Sequence, residues 1–169
     1  MPLPRRNYIS LRQPFRGWIA RACALGHAVE FAARTDVDTP RNRVLIVDDD
    51  PSVRETFRRV LQSEGFDVAV VTGGEDALQL LREDRTIGLM LLDLEMPVMD
   101  GAAVRRAQLS DSEISLVPTV IVSGSRSTRS DLGDLTADGY LDKPVSRQEL
   151  LALVRQYCTP QRPDSRQSG

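Results

Sequence analysis

Val44-Leu45-Ile46-Val47-Asp48-Asp49-Asp50-Pro51 is the stretch on which the fold turns. Four apolar residues in a row, two of them valines and one an isoleucine, suit a short strand buried on both faces. Three aspartates follow at once, and Asp50-Pro51 reads as a helix N-cap with proline at the first helical position. Val53, Phe57, Val60 and Leu61 then form one apolar helical face that stops near Gly65.

Working outward, the same unit recurs. Phe66 to Val71 reads as a second strand. Thr72-Gly73-Gly74-Glu75 has capping-box spacing, with Ala77, Leu78 and Leu81 following at helical intervals. Ile87 to Leu92 is a third buried strand, Val117 to Val122 a fourth, and Tyr140 to Leu141 a short fifth. Ser146 with Glu149 opens a last helix whose Leu150, Leu151 and Val154 face inward. Strands alternating with helices call for an α/β fold: a parallel sheet, helices on both faces, right-handed crossovers. In such sheets ligands collect beyond the carboxyl ends of the strands, at a switch point in strand order.

The residues at those ends are polar. Asp48, Asp49 and Asp50 follow the first strand, Asp93 the third, Ser123 the fourth, and Lys143-Pro144 the fifth. Clustered carboxylates repel, so one protonates or a cation joins them. A donor set of oxygens without thiolate or imidazole points to a hard ion, Mg2+ before Zn2+. A lysine ammonium suits phosphate as a point charge, and a serine hydroxyl can donate to a phosphoryl oxygen. Carboxylate nucleophile, cation, ammonium and hydroxyl together describe a phosphoryl-transfer site built around an acyl phosphate.

Composition limits the alternatives. The chain has 169 residues with 41% apolar content, enough for one core, and no run of the ~18 to 20 apolar residues a membrane span needs. Cys23 and Cys158 match neither a disulfide framework nor a zinc pattern, and the one histidine, His27, argues against a histidine-based metal site or triad. Residues 43 to 158 hold 13 Arg or Lys against 20 Asp or Glu, a balance of −7, while the flanks hold 9 against 4, a balance of +5. The acidic central segment argues against nucleic acid as its direct ligand. Of 22 basic residues 21 are arginine, which sets Lys143 apart.

Three ordered stretches carry a resemblance: Val44 to Asp50, Leu91-Leu92-Asp93-Leu94-Glu95-Met96-Pro97-Val98-Met99-Asp100-Gly101, and Gly139-Tyr140-Leu141-Asp142-Lys143-Pro144. Together they resemble the signature stretches of response-regulator receiver domains of two-component signalling, over about two-thirds of the chain. The resemblance implies a flavodoxin-like, doubly wound (βα)5 fold, like CheY, with strand order 2-1-3-4-5. It implies that Asp93 accepts the phosphoryl group. Asp48 and Asp49, with Asp93 and the backbone carbonyl of Glu95, would hold Mg2+. Ser123 would be the hydroxyl that moves toward the phosphoryl group, and Lys143 the phosphate-contacting lysine, its bond to Pro144 cis. Tyr140 is either the aromatic that turns inward with Ser123 or a packing residue. The implied partner is a histidine kinase or phosphotransfer protein, with a downstream protein target; the acidic balance and the lack of an apolar span lead to the expectation of no direct nucleic acid and no membrane.

Asp50 is better read as a cap than as a ligand, Asp100-Gly101 as a turn, Asp142 as a solvated strand-end charge, and Met96 and Met99 as loop packing. The connection from Ser123 to Lys143 is about two residues shorter than is usual in this family, and it is polar from Ser125 to Asp131, so the helix between the fourth and fifth strands is expected to be short or displaced. Residues 1–42 read as a disordered arm, as sequence upstream of the true start, or as a transit-like segment, and 159–169 as a disordered tail. The expectation is a cytoplasmic, stand-alone receiver of residues 43–158 without an output domain, and no enzyme beyond its own phosphorylation and dephosphorylation. Two other readings are a phosphorylation-independent adaptor and a phosphatase of the haloacid dehalogenase type. The second is disfavoured because its nucleophile should follow the first strand, in a DxDx(T/V) motif that Asp48-Asp49-Asp50-Pro51 does not complete.

Overall fold

In the computed structural model, which describes residues 41–124 and 136–161, the buried runs become five parallel strands. They are β1 (Arg43–Val47), β2 (Val68–Val71), β3 (Ile87–Asp93), β4 (Thr119–Ser123) and β5 (Gly139–Asp142), in the order β2-β1-β3-β4-β5. Four described helices cover them: α1 (Pro51–Ser63), α2 (Gly74–Glu83), α3 (Gly101–Ser110) and α4 (Arg147–Val154). Strand order therefore reverses between β1 and β3, which places Asp48 to Asp50 and Asp93 on either side of the switch point.

Alternate strand residues build two cores. Leu45, Val47, Met90, Leu92 and Ile121 pack under Ala77, Leu78 and Leu81 of α2 and Val104 of α3. Val44, Ile46, Leu89, Leu91, Val120 and Val122 pack under Phe57 and Leu61 of α1 and Leu150, Leu151 and Val154 of α4. This division explains why β1 and β3 read as unbroken apolar runs: both faces of the sheet are covered.

The helix starts refine several expectations. Asp50 caps α1, its Oδ1 accepting from the Ser52 amide at 2.7 Å. Ser146 and Glu149 form the reciprocal capping box of α4. Thr72 caps nothing: α2 begins at Gly74 with Gly73 as N-cap, and Glu75 and Asp76 answer the helix dipole instead. Gly74 is closely packed at this start, since a Cβ there would collide with Val104 and Met99. Asp100 is the N-cap of α3 rather than a turn residue, its Oδ1 accepting from the Ala103 amide at 2.7 Å. Val98, in the same loop, holds φ at +70° with its side chain in solvent, a strained conformation for a β-branched residue. The Lys143-Pro144 bond is cis. The expected helix over 126–135 and the arm up to residue 40 lie outside the described residues.

The edges of the domain reach slightly past 43 and 158. The Asn42 carboxamide pairs with the backbone of Thr159, donating to its carbonyl and accepting from its amide at 2.5 Å each, and the Gln161 amide donates to the Gly65 carbonyl at 2.7 Å. A chain trimmed to 43–158 should be less stable than one spanning 41–161 by about 1 kcal/mol or more in urea melts, since each lost hydrogen bond is worth roughly that much. Equal midpoints would show that these end contacts contribute nothing.

Cys158 closes the α1–α4 core, and burial pushes its thiol up from 9.0 to about 11. The thiolate is the reactive form, so the folded protein should resist alkylation at this position at neutral pH. In the unfolded chain the thiol ionises near its ordinary value, so its contribution to stability is complete below that value and is lost as pH rises toward 11. Urea melts across that window should show stability falling in wild type and falling less in Cys158→Ala.

Candidate functional site

Each polar residue singled out in the sequence sits at the carboxyl edge of the sheet. Asp48 ends the β1 run and is buried; Asp93 ends β3 and is also buried; Asp49 lies exposed beside them. Each of the three can offer a carboxylate oxygen such that these oxygens lie within 4.8 Å of one another. Lys143, just past β5, reaches into the cluster: its Nζ donates to Asp48 Oδ2 and to Asp93 Oδ2, both at 2.9 Å. The other oxygens of these two carboxylates accept backbone amides, Asp48 Oδ1 from Asp50 at 2.8 Å and Asp93 Oδ1 from Glu95 at 3.2 Å.

Burial raises the pKa of Asp93, aided by the charge of Asp48 and opposed by Lys143 and the Glu95 amide. For Lys143 burial works the other way, but the hydrogen bonds and charges of Asp48 and Asp93 together outweigh it and its pKa is raised. The ammonium is thus held charged in contact with the two carboxylates it bridges.

The flanking residues fall into place around this core. Ser123 ends β4, fully buried, one residue beyond the Val122 that pairs with Asp93, and its carbonyl accepts from the Lys143 amide at 2.9 Å. Tyr140 lies opposite Ile121 on β5 and is 40% exposed. Glu95 is exposed in the β3–α3 loop, its carboxylate in van der Waals range of the space beside Gly124. Gly101 is required by close approach: a Cβ there would collide with the Asp93 carbonyl, so glycine lets α3 start directly against the strand end that carries Asp93. Asp142 is exposed at the end of β5. A groove opens beside Lys143, lined by Ser52, Val53, Thr56 and Phe57 of α1 and by Pro144 and Val145.

The sequence reading missed Arg54. From the first turns of α1 its Nη1 donates to the Asp48 carbonyl at 2.6 Å, bracing the loop that presents the acidic pair. Its position four residues after the Asp50 cap was the available signal.

Comparison with known proteins shows the family. The family model of the response regulator receiver domain matches residues 44–155, and the chain belongs to that family. Among curated relatives, the DNA-binding response regulator MtrA of Mycolicibacterium smegmatis is 44% identical over 121 residues, covering 70% of this chain and 51% of that protein. The chain thus spans about half the length of such relatives. A response regulator receiver protein from Pseudomonas putida is 31% identical, with 70% of this chain and 99% of that one aligned at a TM-score of 0.65. The receiver domain of sensor histidine kinase PA1611 from Pseudomonas aeruginosa shares the fold at 24% identity and a TM-score of 0.64, over 69% of this chain and 96% of that one; that domain has a magnesium ion coordinated in its active-site cleft.

Proposed function

We propose that this domain accepts a phosphoryl group on Asp93 from a phosphohistidine of a histidine kinase or phosphotransfer protein, and passes the signal on through protein contacts or a phosphorelay. The observation that carries this reading is the Lys143 ammonium bridging Asp48 and Asp93 at 2.9 Å each, with the Asp49 carboxylate beside them. An Asp93 oxygen attacks phosphorus, the bond from phosphorus to the donor imidazole breaks, and the imidazole leaves with the bonding electrons. Lys143 moves its hydrogen bonds from the carboxylates to the phosphoryl oxygens, where charge gathers. The groove beside Lys143 gives a donor protein a surface next to the acceptor.

The donor set fits a hard divalent cation. Asp48, Asp49, Asp93 and the Glu95 carbonyl would hold Mg2+, which when bound neutralises charge on the phosphoryl oxygens. Few protein oxygens would bind it, so affinity should be weak, in a roughly millimolar regime. Drawing Ser123 toward the phosphoryl group would vacate space beside β4, and Tyr140 would turn in to fill it. The −7 balance of residues 43 to 158 favours protein over nucleic acid as the direct partner of this domain, and a cytoplasmic setting suits a kinase-fed switch. No described helix is long and apolar enough to cross a membrane. The domain turns over nothing beyond its own acyl phosphate.

Incubation with acetyl phosphate and Mg2+ tests the reading. Acid-labile, Mg2+-dependent phosphate on the wild-type protein is the expected result, with Asp49→Ala needing far more Mg2+ for the same rate. Labelling that ignores Mg2+, or an Asp49→Ala variant with wild-type Mg2+ affinity, would contradict the acidic-pair assignment. No labelling at all would leave a receiver-fold adaptor.

A further inference from the structure

Among the described residues, Arg105, Gln108 and Thr119 are buried polar groups that the phosphoryl chemistry does not use, and Arg105 is the charged one. Buried guanidinium groups are rare and need partners; this one, on α3, is 4% exposed. Its Nε donates to the Thr136 carbonyl at 2.9 Å, and its Nη1 to Gln108 Oε1 at 2.7 Å and Thr119 Oγ1 at 2.9 Å. Its Nη2 faces Asp138 Oδ2 at 3.4 Å. The same Asp138 carboxylate accepts the Thr119 amide at 2.9 Å, and the Asp138 amide donates to the Thr119 carbonyl at 2.9 Å. Tyr157 donates its hydroxyl to the Asp138 carbonyl at 2.9 Å.

The bonds of Arg105 to Thr136 and Asp138, and those of Thr119 and Tyr157 to Asp138, converge on the residues that lead directly into β5, while Gln108 and Thr119 hold the other side of the guanidinium. That strand is four residues long and lies at the edge of the sheet, pairing with β4 alone among the described strands, so what fixes its ends bears on its placement. Lys143 fixes the end at the active site, through its amide on Ser123 and its ammonium on the acidic pair. The Arg105 network fixes the other end, and Tyr140 lies between the two. Burial lowers the pKa of Arg105, and the charge of Asp138 opposes that fall. A short strand held at one end only would answer a pull at Lys143 by shifting as a body. Held at both ends, it must answer by rearranging the side chain between them.

We propose that Arg105 is a positioning residue of the switch: it clamps the chain entering β5 to α3, so that a phosphoryl group contacted by Lys143 turns Tyr140 instead of displacing the strand. The proposal rests on the phosphorylation reading above and extends its moving parts to α3.

The test uses the full chain with Mg2+ and beryllofluoride, a phosphoryl mimic. Fluorotyrosine resonances, with Tyr140 assigned through Tyr140→Phe, report the aromatic, and acetyl phosphate labelling reports the acceptor. Two mild variants are compared: Arg105→Lys, which keeps charge and loses the fork, and Thr119→Val, which keeps shape and loses the hydroxyl. Both should label at rates close to wild type, while the beryllofluoride-induced shift in the Tyr140 conformer ratio, about 5- to 150-fold for a typical intact coupling, is largely lost. Variants that melt earlier but keep the full Tyr140 response would overturn the proposal and leave the network as core architecture. A wild-type protein that labels without any Tyr140 response would overturn both the proposal and the switch, and a wild-type protein that does not label would overturn the phosphorylation reading beneath them.

Discussion

Asp93→Asn is expected to take up no acid-labile phosphate under conditions in which the wild-type protein labels. The amide keeps the shape of the side chain but cannot attack phosphorus to give an acyl phosphate, and neither Asp48 nor Asp49 ends β3 with the loop geometry that presents Asp93. The fold should survive, at least as stable as before. Three carboxylates whose oxygens lie within 4.8 Å repel one another, and burial already disfavours the charged form of Asp93, so removing that charge relieves the site while Lys143 retains Asp48. Labelling and calorimetry on the same samples check both halves. Phosphate uptake at the wild-type level would remove Asp93 from its role.

Lys143→Ala should act on both chemistry and stability. Loss of a preorganised donor aimed at developing charge slows the labelling rate by roughly 10²- to 10³-fold. It also leaves the buried carboxylates of Asp48 and Asp93 without their cation. Breaking a buried pair costs about 3–5 kcal/mol, and the lower end is expected because a quarter of the Lys143 side chain meets solvent. A divalent cation can take over part of that neutralisation, so saturating Mg2+ should stabilise the variant more than it stabilises wild type. Urea melts with and without Mg2+ measure the difference. Wild-type labelling by the variant would show that the ammonium is structural only.

The site was legible in the sequence because its carboxylates stand at the ends of buried strands, where an apolar run stops abruptly at Asp48 or Asp93, and because Lys143 is the one lysine of the chain. The two-faced burial of β1 and β3 made those runs plain, and the order β2-β1-β3-β4-β5 is the one the resemblance implied. Strand ends were less exact: β2 begins at Val68, two residues after Phe66, and β4 at Thr119, since Val117 and Pro118 precede the ladder. Helix α3 went unplaced for a physical reason. Its inward face carries Arg105 and Gln108 beside Val104, so the apolar periodicity that marks a helix is broken by buried polar groups that only the fold can satisfy. Asp100 reads as a turn residue from sequence because a capping aspartate and a turn aspartate look alike until the helix after them is known. The Asn42–Thr159 pairing joins residues 117 apart and leaves no local trace in the sequence.

The central claim is that one particular carboxylate of this acidic cluster carries the phosphoryl group. Borohydride reduction of the protein labelled with acetyl phosphate and Mg2+ converts a phosphoaspartate to homoserine, which peptide mass spectrometry can place in the chain. Homoserine at position 93 and nowhere else is the predicted result; homoserine at position 48 or 49, or none in a protein that holds acid-labile phosphate, would contradict the account.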